Sequence, residues 1–188
     1  MNIELKKKRE RRNYMIRQCL CFFLLAFSYV FMSTINTGAA LPLLIIPCAV
    51  CYAVREEPFD SALYGCICGL FLDSAADTLT GFNAIILMWI SLFVSLLFHY
   101  VLQRNIFNFL WLDLLATIAQ TFLHYLFYFW IWGYDDKGTV FAGIFIPQLI
   151  YTNAAGILMF YATGFIFKHF STITEHYIEE KSDDIVRE

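Results

Sequence analysis

Charge is what this sequence lacks. Of its 188 residues, 15% are Asp, Glu, Lys or Arg, against an apolar share of 60%. Soluble domains carry roughly a quarter charged residues. A soluble fold of this length would have too few charged groups to cover its surface, whereas a surface facing lipid needs none. The charge-free stretches are continuous: Arg17 to Arg55, Asp77 to Arg104, Asp113 to Asp135 and Lys137 to Lys168. Each is long enough for at least one span of about 20 residues. Within them apolar residues run on without alternating with polar ones, which excludes a β-barrel. The first apolar stretch follows a basic start but has no small-residue cleavage pattern, so no signal peptide is expected.

Chemical apparatus is also missing. The four His do not cluster, and there is no glycine loop of the phosphate-cradling kind. No Ser, His and Asp arrangement has local motif support. Asp73/Asp77 and Asp135/Asp136 lack the further carboxylates and glycines of a metal-dependent transferase. The six Cys fall in apolar stretches as Cys19/Cys21, Cys48/Cys51 and Cys66/Cys68. A redox or zinc reading of Cys48-x-x-Cys51 needs polar surroundings or a nearby His, and neither is present. These cysteines read as small buried hydrophobes. No catalytic residue, metal site or cofactor is expected.

What is present is an all-α membrane architecture of six helices in one domain, residues 14–168. Residues 18–54 as a single helix would measure about 55 Å, against a bilayer core of roughly 30 Å. Asn36-Thr37-Gly38 divides them into span 1 (14–34) and span 2 (39–54), with a kink expected at Pro42 or Pro47. Spans 3 to 6 follow at 61–76, 83–102, 107–132 and 144–167. A basic tail (1–13) precedes the bundle and an acidic tail (169–188) follows it. With both tails cytoplasmic, twelve of the thirteen Lys and Arg lie inside and only Lys137 outside. The basic start therefore sets orientation and attracts anionic lipid; nucleic acid is not an expected partner.

Two spans carry unusual residues. In span 3, Gly65, Gly69, Asp73 and Asp77 recur every four residues and share one helix face. Gly65-x-x-x-Gly69 permits close helix approach, either inside the bundle or to a partner's helix. Asp73 lies roughly 18 Å along the helix from Ser61. A carboxylate there either binds something or caps backbone donors where the chain turns through Thr78, Thr80 and Gly81. In span 5, Asp113, Thr117, Gln120 and His124 form one polar stripe, which must face inward. The expectation is an internal polar network of Asp73, Asp77, Asp113, Gln120, His124 and Asn153 tying spans 3, 5 and 6 together.

The stretch from Ala62 to Ala84, with Gly65, Gly69-Leu70, Asp73 and Gly81-Phe82-Asn83-Ala84, resembles the rod-shape-determining protein MreD family. Glu57-Pro58, Ile150-Tyr151-Thr152, the length and the basic start also fit, over roughly residues 15–168. Leu79-Thr80-Gly81 stands where Pro-Leu-Gly is frequent in that family. The resemblance implies a non-enzymatic, multi-pass protein of the bacterial plasma membrane. Its implied partner is MreC, and through the complex MreB filaments, a SEDS-type glycosyltransferase and a class B penicillin-binding transpeptidase. It also implies a fold similar to the substrate-binding subunits of energy-coupling-factor transporters. The alternative reading is therefore a vitamin- or metal-capture subunit.

Overall fold

The structure, a computed structural model, describes residues 3–34, 43–75, 79–127 and 146–169. They form six helices: α1 (Ile3–Thr34), α2 (Ile45–Ala53), α3 (Pro58–Ala75), α4 (Phe82–Tyr100), α5 (Ile106–Tyr125) and α6 (Ile146–His169). There is no strand among the described residues. Four segments are long and apolar enough to cross a membrane: Arg11–Thr34, Phe82–Tyr100, Ile106–Tyr125 and Pro147–His169. The architecture is all-α and compatible with a multi-pass membrane protein.

Neighbouring helices in the chain run in opposite directions. Tyr52 of α2 meets Gln18 of α1, and Asp73 near the end of α3 meets Gly81 at the start of α4. Phe82 of α4 meets His124 of α5, and Phe109 of α5 meets Phe160 of α6. The Arg17 guanidinium lies 4.6 Å from the Phe167 ring, so the beginning of α1's membrane-crossing segment and the end of α6 share one end of the bundle. The turns holding Arg55 and Arg104 lie at that same end.

The apolar pattern is reversed relative to a soluble protein. Phe23, Phe27, Ile85, Phe93, Trp111, Leu158 and Phe165 are exposed. Ser28, Ser61, Asn83, Ser91, Ser95, Thr117, Gln120, Thr152 and Thr163 are buried. Lipid-facing apolar side chains lose nothing by remaining outside. Polar side chains must instead find partners within the bundle. Several hydroxyls do so on their own helix: Ser28 donates to Leu24 O at 2.8 Å and Thr163 to Met159 O at 2.9 Å.

Helix α2 is the centre. All nine of its residues are buried, and the other five helices pack around it. A segment that is apolar on every side, Ile45-Ile46-Pro47-Cys48-Ala49-Val50-Cys51-Tyr52-Ala53, has no polar face to turn outward. It is also much shorter than the span expected over 39–54, at roughly 14 Å of helix. Pro47, where a kink was expected, sits in the first turn of α2, where its missing N–H has no intrahelical carbonyl to meet. Pro42 and the turn at 36–38 lie outside the described residues. The basic segment differs too: α1 is continuous from Ile3, so the cations of 6–12 extend the first helix rather than precede it.

Candidate functional site

Three polar foci interrupt the apolar interior, and each is positioned by a local sequence feature. The first is the α3–α4 corner. Gly65 and Gly69 face α4, and its backbone occupies the space their side chains would need. A methyl on Gly69 would strike the backbone of Asn83 and Ala84, and one on Gly65 would lie 2.6 Å from the Leu87 carbonyl oxygen. Of the two alternatives for these glycines, packing inside the bundle matches this contact: α4 itself fills that face. Gly81 serves differently. A methyl there meets nothing within 4 Å, but its φ of +101° is a left-handed value that L residues rarely adopt. It is a hinge for the turn into α4, not a packing residue.

Asp73 closes this corner. Its Oδ2 accepts from the Gly81 N–H at 2.7 Å and its Oδ1 from the Asn83 N–H at 3.1 Å. A carboxylate thus satisfies two of the donors left open at the start of α4, where a negative charge also meets the positive end of the helix dipole. Asn83 extends the contact: its Oδ1 accepts from the Gln120 amide of α5. His124, one turn further along α5, packs edge-on to Phe82. The chain of contacts therefore runs α3–α4–α5.

Asn153, expected to join these contacts from α6, instead bonds within its own helix. The Asn153 amide donates to Leu149 O of its own helix at 3.1 Å, while the neighbouring Thr152 hydroxyl accepts from the Leu43 N–H at 3.0 Å. Asp77 lies outside the described residues. The link that sequence reasoning missed is Asn83, whose only signal was its place two residues after Gly81. Truncating Asp73 should leave both turn donors exposed to an apolar interior. Asp73→Ala is expected to lower stability by about 2 kcal/mol, read as a fall in the thermal midpoint of the detergent-solubilised protein.

The second focus is at the Arg-rich end. The Arg17 Nη2 lies 2.6 Å from Glu56 Oε1, with both side chains almost fully covered, at 4% and 6% exposure. The Glu56 carbonyl accepts from the Ser95 hydroxyl at 2.8 Å and the Ser61 hydroxyl at 3.3 Å. One residue thereby ties α1, α3 and α4 to the α2–α3 turn. Arg55 reaches the other way, donating from Nη2 to Phe160 O at 3.0 Å and lying 4.7 Å from the Phe160 ring. Burial pulls the Arg55 guanidinium below its ordinary value, yet arginine keeps its charge at any physiological pH. Beneath this layer Tyr52 and Tyr64 stack with centroids 4.0 Å apart. Their hydroxyls donate to Gln18 Oε1 at 2.7 Å and Cys21 O at 2.8 Å. In the sequence, Arg17 is indistinguishable from the basic tail, and Arg55-Glu56-Glu57 reads as a solvated loop.

The third focus is Asp113. It shares the inward face of α5 with Thr117 and Gln120, as the stripe required. It makes no contact with the Asp73 corner: Gln120 lies about 10 Å further along the helix. Asp113 is 0% exposed, and neither carboxylate oxygen has a hydrogen-bond partner among the described residues. Its Oδ2 rests against Gly156 of α6, where an added methyl would come within 2.6 Å. The cysteines of both spaced pairs in α2 and α3 are free thiols, with Cys48, Cys51 and Cys68 fully buried.

Fold and interior together define a class, an all-helical bundle with an apolar exterior and four membrane-crossing candidates. Compared with known proteins, the chain matches no protein-family model, no curated protein and no solved structure.

Proposed function

We propose that this protein is a multi-pass scaffold of the bacterial cell-elongation machinery. It crosses the plasma membrane six times with both ends in the cytoplasm, and it binds MreC to help organise lateral peptidoglycan synthesis. The observation that carries the scaffold reading is the centre of the bundle. A solute-capture subunit needs room for its ligand among the helices, whereas here α2 occupies the axis with every residue buried. The exposed faces of α1, α4, α5 and α6 meanwhile offer broad apolar surface for lipid or for another protein's helix. The residues that carry the resemblance support the same reading. Gly65, Gly69, Asp73, Gly81 and Asn83 build one corner of the bundle, so they set a rigid frame rather than line a solute site.

The six-crossing topology is supported by the alternating helix directions and by the gathering of Arg17, Arg55 and Arg104 at one end. A fluorescent protein fused after Glu188 is expected to fold and fluoresce, as it does only on the cytoplasmic side. Partner choice is tested by purifying the tagged protein from native membranes in mild detergent. Recovery of MreC is the expected result. Recovery of an ATPase with its coupling subunit would instead establish the capture-subunit alternative.

A further inference from the structure

We propose that Asp113 is a proton-binding seat inside the bundle, its carboxyl held in the neutral form by the folded protein. The reason is the state of its carboxylate. It is wholly buried, both oxygens lack hydrogen-bond partners, and no cationic side chain lies within ion-pair distance among the described residues. An ionised carboxylate held unpaired in a membrane interior is among the most costly arrangements a helix can carry. Asp73 solves that difficulty with two backbone donors. Asp113 has no such donors, although it sits in the same fold on the same helix face as Gln120.

Its surroundings make room for the carboxyl without neutralising it. From α6 comes Gly156, whose missing side chain leaves the space that Oδ2 fills, and that face of α6 carries no ionisable group beside it. From α2 come Pro47, beside the Gly156 position, and the buried thiol of Cys51, the one titratable group among the described residues that faces it. The buried polar residues of α4 are Asn83, Ser91 and Ser95, none of them ionisable. The Arg55 guanidinium is engaged elsewhere, by the Phe160 carbonyl one turn beyond Gly156. On α5 itself the Thr117 hydroxyl is turned back onto the Asp113 main-chain carbonyl at 2.8 Å, away from the carboxylate. A proton is the ligand that satisfies this geometry: it removes the charge and needs neither further oxygen donors nor extra space.

The test compares the full-length wild type with Asp113→Asn in detergent, by thermal unfolding across pH. Asparagine keeps the shape and carries no charge. The unfolded wild-type chain gives up the Asp113 proton at about pH 4, whereas the folded protein retains it, so raising the pH favours unfolding. The wild-type melting point should therefore fall relative to Asp113→Asn by about 3 °C or more as pH rises from about 5 to about 7. Asp113→Leu provides a second charge-free replacement. A wild-type-to-variant difference that does not change with pH overturns the proposal. So does failure of both variants to fold, because the carboxyl would then be a structural partner.

Discussion

Gly69→Ala is expected to destabilise the bundle by about 3 kcal/mol, and Gly69→Leu to prevent its assembly. One methyl is a small addition, but its neighbours decide the cost. It would meet the backbone of Asn83 and Ala84 rather than a flexible side chain, so it can be accommodated only by moving α3 away from α4. That movement would also pull Asp73 from the Gly81 and Asn83 N–H groups, and with them the Gln120 contact. Gly65→Ala is expected to be milder. Part of what it would strike is the Ser91 side chain, although the Leu87 carbonyl is fixed. Gly164→Ala is the control, since its added methyl would meet only the tip of the Arg55 side chain. Melting points of the three purified variants should rank Gly164→Ala above Gly65→Ala above Gly69→Ala. An unchanged Gly69→Ala midpoint would show that α3 and α4 do not approach this closely.

The second large effect is expected at the Arg17–Glu56 pair. Removing either partner from a covered ion pair strands the other charge in the interior, at a cost of about 3–5 kcal/mol. Glu56→Leu and Arg17→Met should each lower the thermal midpoint by about 10 °C. The double variant should lose much less than the sum of the two, because it leaves no orphaned charge. The cycle separates this pair from an ordinary surface contact, for which both single changes would fall within about 1 kcal/mol. Additive losses would mean that Arg17 and Glu56 act independently, Arg17 on the Phe167 ring and Glu56 through its turn.

Several features were legible from residue order alone because they depend on local spacing or on composition. Continuous apolar runs specify lipid-compatible helices whatever packs against them, so α4 and α6 begin and end within a few residues of the expected spans and α5 begins within one residue of its own. The four-residue recurrence of Gly65, Gly69 and Asp73 places them on one face by helix geometry. The stripe of Asp113, Thr117 and Gln120 turns inward because polar groups cannot remain in lipid. Asp73 as a cap was one of two readings of the turn after α3, and its two backbone bonds fit that one.

Other features depended on which helices meet. Whether Gly65 and Gly69 serve a partner or this chain was undecidable until α4 was placed against them. The burial of Arg17 and Glu56 arises from the α1 and α2–α3 segments converging, and no local pattern distinguishes those charges from solvated ones. The shortness of α2 follows from its central position, where the surrounding helices rather than lipid bury its apolar faces. Asn83 became a link only because Gln120 lies across from it.

Residue order by itself determined that this protein is helical, that it is suited to lipid, and which faces of α3 and α5 point inward. Only the tertiary structure decided what those faces meet: α4 for the glycines, backbone donors for Asp73, and, among the described residues, no polar partner for Asp113. The physical reason is range. Hydropathy and helical periodicity act over a few residues of one chain segment, whereas the cost of a buried charge is set by groups that packing brings together from far along the sequence.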